Sequence, residues 1–429
     1  MFGKSNAFKP RYGKSNQSYL PLPATFNKLN QRRSLPLVIL GVLITWYFLA
    51  PLSIISTIFR TSSAPHYPPP HPYSSKHVIE HSSKYIYPPI EQAPLLKQLT
   101  GQKLVHTTKV GDKTVFQPLS VLDNPDPTVQ QLKEKDENEK DQFMKAKNFF
   151  KNQDRVVFKP KSLKNYPEVI IVTAVDFDKY STEALAKIVQ NRVDYAHFQK
   201  YGVYVRWAQE FIPQLNSMVA LTDKERAKWV RLFCTRAAML AFPHAKWFWY
   251  FDQDGLVMDM TMNVQQTLLN SEVLNAQMLR DQPLIPKTGV IKTYKSIKAE
   301  NTQLIFTQSD KKIETTSFVI RNGPVGRAVT EVWSNDLYLN YQSFPYGPDS
   351  ALTHLLQWHP FVLSKTALVP ARTICANAAA ADAGADSQDK DAIGATYEEG
   401  DLVAQWNDCK SPAECEEILN SYQVKVKKP

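Results

Sequence analysis

Residues 247–251 read WFWYF and run without a break into Asp252, Gln253 and Asp254. A strand sends alternate side chains to opposite faces, so five large apolar residues in a row require both faces to be covered. Strands of that kind belong to parallel sheets layered with helices, and the flanking sequence supplies the layers. EVIIVTAV at 168–175 is a second buried strand rich in β-branched residues. Two helical patterns follow, STEALAKIVQNRVDYAHFQKYG and DKERAKWVRLFCTRAAMLAF, separated by VYVRWAQEF, which alternates like a strand. QLIFTQ, TTSFVIRN and PFVLSKTALVP are further strand candidates, while VGRAVTEVWSNDLYL and SALTHLLQW read as helices. The alternation predicts an α/β domain over 167–429 with a doubly wound, mostly parallel sheet, whose ligands bind beyond the carboxyl ends of the strands. The low-complexity run at 378–393 has no apolar period and reads as an inserted surface loop.

The strand end places Asp252 and Asp254 one residue apart, with Gly255 behind them. Two carboxylates so spaced can clamp a hard divalent cation such as manganese or magnesium, the kind of ion that neutralises a leaving nucleoside diphosphate. Alone, Asp-x-Asp is a common solvated turn; its position after a buried aromatic strand is what points to function. Asp349 precedes an apolar helix, where it either caps the helix or serves chemistry. Arg321 and Asn322 follow a strand directly, so Arg321 either binds phosphate or makes a surface salt bridge.

The net charge of +10 raises the question of nucleic acid, but no groove-docking motif accompanies it. Much of the excess lies in Lys4, Lys9, Arg11, Lys14, Lys28, Arg32 and Arg33, a stretch without one acidic residue. Residues 35–59 contain no charge and, as a helix, would cross a hydrocarbon core of about 30 Å. With the basic cluster in front, the positive-inside rule keeps 1–34 in the cytosol and sends the remainder across, the type II orientation. The competing reading, a signal peptide, requires a shorter apolar core and a small-residue cleavage site. Residues 60–166 then form a stem, Pro- and Ser-rich at first and carrying a charged helix at 128–152. Cys409 and Cys415 bracket a loop that a disulfide could close, with free thiols the alternative.

HAKWFWYFDQDGLVMD resembles the Trp-x-Trp-x-x-Asp-x-Asp-Ala stretch of glycosyltransferase family 34. NRVDYAHFQKYG, the helix carrying Trp229, Arg231 and Arg236, the strand TTSFVIRN, the helix start YGPDSALTHLLQ and the segment GDLVAQWNDCK are similar to its other motifs in order. Within that family the likeness is to the fungal α-1,6-mannosyltransferase subunits of mannan polymerase II. The resemblance implies a GT-A-type fold, a Mn2+ cofactor, GDP-mannose as donor, an N-glycan mannan acceptor, retention of configuration, a Golgi membrane location and hetero-oligomeric partner subunits. It puts the metal on Asp252, Asp254 and Gln405, the last standing where the family has histidine, and catalysis on Asp349 and Arg321. The donor would lie against Arg236, Ser317 and Asn322 besides the two aspartates; Thr173 and Ala174, at the end of the first strand, would line the nucleotide pocket, and Tyr195 either joins them or belongs to the core. Two further departures are Gly255, where the family has alanine, and Asp408, where it has glycine.

Overall fold

The structure is a computed structural model that describes residues 39–45, 79, 81, 83–87, 105–110, 113–118, 157–160, 162–215, 221–341, 343–378, 395–406, 409 and 411–428. Residues 39–45 are helical with exposed apolar side chains, and no helix among the described residues is long and apolar enough to cross a membrane. The remainder of 35–59, the charged helix at 128–152 and the inserted loop past residue 378 lie outside the described residues. Strands β2 (Val105–Val110) and β3 (Lys113–Pro118) pair as an antiparallel hairpin.

The main sheet has seven strands: β1 (Ile86–Tyr87), β4 (Val169–Val175), β5 (Gly202–Trp207), β6 (Trp247–Phe251), β8 (Leu304–Gln308), β9 (Ile313–Arg321) and β10 (Thr366–Leu368). Their spatial order is β1-β5-β4-β6-β9-β8-β10. All neighbours are parallel except β9, which runs antiparallel to both β6 and β8. The sheet is therefore mixed, though mostly parallel as expected. Its edge strand β1 comes from the segment read as stem, and Ile79, Ile86 and Tyr87 are fully buried there. A second, two-stranded sheet pairs β7 (Gly255–Val257) with β11 (Val403–Gln405).

Strand alternation divides the interior into two cores. Ile171, Trp249 and Phe251 face helix α1 (Thr182–Gln199), which buries Leu185, Ile188 and Val189 against them. Ile170, Val172, Phe248 and Tyr250 face α2 (Val230–Ala241), α3 (Pro324–Trp333) and α4 (Pro348–Trp358) on the other side. The Ser181 hydroxyl caps α1 by accepting from the Ala184 N–H, and a left-handed Lys200 ends it. Helix α5 (Pro412–Gln423) closes the first core through Cys415, Leu419 and Tyr422, and a Cys409–Cys415 disulfide ties its first turn to the segment before it.

Candidate active site

Because α1 and α2 run against the parallel strands, the loop leading into α1, the start of α2 and the carboxyl ends of β4 and β6 meet at one edge of the sheet. The antiparallel β9 brings its first residues, not its last, to the same edge. Asp252 and Asp254 stand there with their backbone fixed. The Asp252 N–H donates to the Thr316 carbonyl (2.9 Å), the Asp252 carbonyl accepts from Arg192 Nη2 (2.7 Å), and the Asp254 carbonyl accepts from the Trp406 N–H (2.9 Å). Gly255 is required where β7 meets β11, since a Cβ would lie 2.9 Å from both the Ala404 carbonyl oxygen and Gln405 Cγ. That contact accounts for the glycine.

The carboxylates are held differently. Asp254 is buried, accepts from the Tyr180 hydroxyl (2.8 Å) and is ion-paired with Lys179; the Trp406 indole N–H steadies Tyr180 in turn (2.9 Å). Burial, and after it the charge of Asp252, push the Asp254 carboxyl up to about 6. Asp252 faces Arg231, whose Nη2 lies 3.6 Å from its Oδ2. Arg231 Nη1 lies 3.6 Å from Asp349 Oδ1 and donates to the Thr315 hydroxyl (2.8 Å), so one buried guanidinium spans both acidic positions. Burial works against its charge, but Asp252 and Asp349 outweigh burial and raise its pKa.

Asp349 is buried at the start of α4 and does not cap that helix, which has Gly347 at its N-cap with no side-chain bond. Its oxygens go to β9 instead, accepting from the Thr315 N–H (3.2 Å), the Thr315 hydroxyl and Lys312 Nζ. Lys312 also pairs with Glu314 at 2.7 Å. A buried carboxylate with this many donors is held in one orientation.

The other expected site residues divide sharply. Thr173 and Ala174 lie at the end of β4, where the Thr173 hydroxyl donates to the Phe251 carbonyl (2.8 Å) and so fixes the strand end. Gln405 lies opposite Gly255 in the β7–β11 pair, but its Oε1 accepts from the Thr316 hydroxyl (3.1 Å) and the Cys375 thiol (3.0 Å), which uses both lone pairs of the amide oxygen. In this arrangement it does not present itself as a third metal ligand. Five further expected site residues are engaged elsewhere. Arg321 pairs with Trp247 at the far end of β6, exposed and stacked on that indole, and Asn322 donates to the Pro243 and Ala245 carbonyls (3.1 and 2.9 Å). Of its two readings Tyr195 takes the core one, bonded to the Met262 carbonyl (2.7 Å) and packed edge-on against Trp249. Arg236 points from α2 to Glu331 of α3 (3.3 Å), and the Ser317 hydroxyl accepts from the Trp249 indole (2.9 Å).

Lys179, Tyr180, Arg192 and Lys312 were not singled out from sequence, and Arg231 entered only through the resemblance. A further tie is Gln253, between the two aspartates, whose side-chain oxygen accepts from the Asp176 N–H (2.7 Å) and anchors the loop bearing Lys179 and Tyr180.

Among the described residues no three of His, Cys, Asp and Glu converge as a ready metal cluster. The two aspartates nonetheless fit a hard divalent cation. Both are hard oxygen donors at one strand end, one residue apart, and their mutual charge, second only to burial, helps raise the Asp254 carboxyl.

A layered α/β domain with paired carboxylates and buried cations at one sheet edge has the architecture of an enzyme acting on a charged ligand. Comparison with known proteins makes the class specific. A family model described as the galactosyl transferase GMA12/MNN10 family matches residues 165–416. The chain is 33% identical over 359 residues to a probable alpha-1,6-mannosyltransferase, MNN11, of Saccharomyces cerevisiae, spanning 82% of each protein. It is 25% identical to an uncharacterized alpha-1,2-galactosyltransferase, C8D2.17, of Schizosaccharomyces pombe over 64% of this chain and 80% of that one. Among solved structures, a glycosyltransferase involved in glycosylation of the major capsid of PBCV-1 aligns with 59% of this chain and 100% of its own, at 14% identity and a TM-score of 0.39. The chain is a glycosyltransferase and belongs to the GMA12/MNN10 family, glycosyltransferase family 34.

Proposed function

We propose that this chain transfers mannose from GDP-mannose in α-1,6 linkage, with retention of configuration, to a growing N-glycan mannan. The domain is of GT-A type, anchored in the Golgi membrane by residues 35–59 in type II orientation and assembled with related subunits. The observation that carries the reading is the single buried guanidinium of Arg231 joining Asp252 to Asp349 at the carboxyl edge of the sheet. The name carried by the Saccharomyces relative supports mannose and the α-1,6 linkage.

Asp252 and Asp254 would hold a divalent cation such as Mn2+, which supplies charge neutralisation for the departing GDP. The protein's own groups do the rest. Arg231 fixes the spacing of the Asp252 and Asp349 carboxylates. Asp349, oriented by Lys312 and Thr315, is suited to stabilise a sugar cation or to accept a hydrogen bond from the attacking acceptor hydroxyl. Same-face attack is favoured, because every carboxylate at this edge already has a partner and none is presented as a nucleophile.

The test is mannose transfer from GDP-mannose to an α-1,6-mannose oligomer by the detergent-solubilised chain, with and without Mn2+, comparing wild type with Asp252→Ala, Asp254→Ala. Metal-dependent transfer lost in a folded double variant supports the reading. Transfer from UDP-galactose instead shifts the sugar assignment toward the galactose in the names of the Schizosaccharomyces relatives. A second reading, a weakly catalytic subunit that supports an active partner, draws on the engagement of Lys179 with Asp254 and of Gln405 with Thr316 and Cys375. It predicts that transfer by the assembled complex survives the double substitution.

A further inference from the structure

The loop between β4 and α1 carries a cation to the place where the preceding reading puts a metal. Lys179 is ion-paired with Asp254 Oδ2, with 28% of its side chain exposed against 8% for the aspartate. The pairing is built in. The Gln253 side chain holds the start of the loop through the Asp176 N–H (2.7 Å), and the Asp178 N–H donates to Asp176 Oδ1 (2.8 Å). Gln209 Nε2 donates to Asp178 Oδ2 (3.1 Å), and Tyr180, next to the lysine, is locked on the other Asp254 oxygen by the Trp406 indole. Both oxygens of this carboxylate are thus occupied by protein donors, one neutral and one cationic.

We propose that Lys179 is a resident competitor for the divalent cation: its ammonium occupies Asp254 in the metal-free protein and must be displaced when the metal binds. The inference rests on the assignment of Asp252 and Asp254 as metal ligands. Its physical basis is charge. An ammonium is a compact point charge on a flexible stem, able to leave one oxygen for solvent without moving the backbone. It satisfies the buried carboxylate at rest, and every metal ion that binds there must first replace it. Arg231 does the corresponding work on Asp252 from 3.6 Å, but it is buried and also committed to Asp349 and Thr315, so the lysine is the cation that can yield.

The experiment is a Mn2+ titration of the full chain in detergent, followed by the electron paramagnetic resonance of free Mn2+, on wild type, Lys179→Met, Lys179→Arg, and Asp252→Asn, Asp254→Asn. Lys179→Met is expected to bind Mn2+ roughly fivefold more tightly, the scale on which loss of a partly screened ion pair acts. Lys179→Arg, which keeps the charge, should stay within about threefold of wild type, and the double asparagine variant should not bind. Thermal unfolding confirms that each variant is folded, which the solvent-facing position of the lysine favours. Equal or weaker Mn2+ binding by Lys179→Met, with the double asparagine variant still silent, overturns the competitor while leaving the metal site in place. Binding that persists in the double asparagine variant, or is absent from every variant, overturns the metal assignment and this inference with it.

Discussion

Arg231→Met removes the guanidinium and nearly preserves the shape of the aliphatic stem. The structure fixes the size of the effect. The arginine side chain is 8% exposed and faces two carboxylates whose side chains are 14% and 6% exposed, each at 3.6 Å. Removing one partner from a buried ion pair costs about 3–5 kcal/mol, because the remaining charge is left uncompensated. The lower end applies here. Lys312 and Thr315 continue to hold Asp349, so Asp252 is the group left with too little compensation, and it retains some solvent. We expect about 3 kcal/mol of lost stability from denaturant unfolding followed by near-ultraviolet circular dichroism. Because the cost comes from Asp252, neutralising it should recover part of the loss: Asp252→Asn added to Arg231→Met is expected to return about 2 kcal/mol relative to additivity. A loss below about 1 kcal/mol, or two effects that simply add, would mean that the guanidinium does not compensate these charges and that the bridge between Asp252 and Asp349 is not a functional coupling.

Gly255→Ala should cost about 1–3 kcal/mol, since the added methyl meets a backbone oxygen and Gln405 Cγ at 2.9 Å, and it should weaken Mn2+ binding by displacing β11; unfolding and metal titration read both effects. Arg236→Ala and Arg321→Ala should leave transfer within about twofold of wild type, because one faces Glu331 and the other lies at the opposite end of β6; a tenfold loss would return them to the site. The Asp254 carboxyl sits at about 6 in the fold against an ordinary 3.8, so the folded state holds the extra proton between those values. Metal-free stability should therefore fall as pH rises across that window, and the slope should flatten in Asp254→Asn; a wild-type stability that rises there contradicts the assignment.

Much of this site could be read before any coordinates. WFWYF had to be a strand covered on both faces, EVIIVTAV had to lie near it, and acidic residues at the end of such a strand had to emerge at the ligand-binding edge. What misled the reading of Arg321 and Asn322 was direction. Residues following a strand reach the ligand edge only if that strand is parallel to its neighbours, and β9 is antiparallel. The sequence held the signal: only four residues separate Gln308 from Ile313, far fewer than the dozen or so a parallel crossover needs. Read as a hairpin, that spacing turns β9 over, sends Arg321 to the far edge and brings Lys312, Glu314 and Thr315 beside Asp349. The cations were hidden for a different reason. Lys179 sits in a loop and Arg231 in the first turn of an amphipathic helix, where basic residues are ordinarily solvated, and neither position has a periodicity that marks it as turned inward. Their role follows from long-range pairing across 75 residues for Lys179 with Asp254 and, for Arg231, from the placement of α4, so it becomes visible only once the sheet order is known. The chemistry assigned to Asp349 has the same origin. A carboxylate in the first turn of a helix ordinarily interacts with that helix's own N-terminus, and this one turns to β9 because Lys312 and Thr315 offer a half-buried cation and two donors that the helix end cannot match.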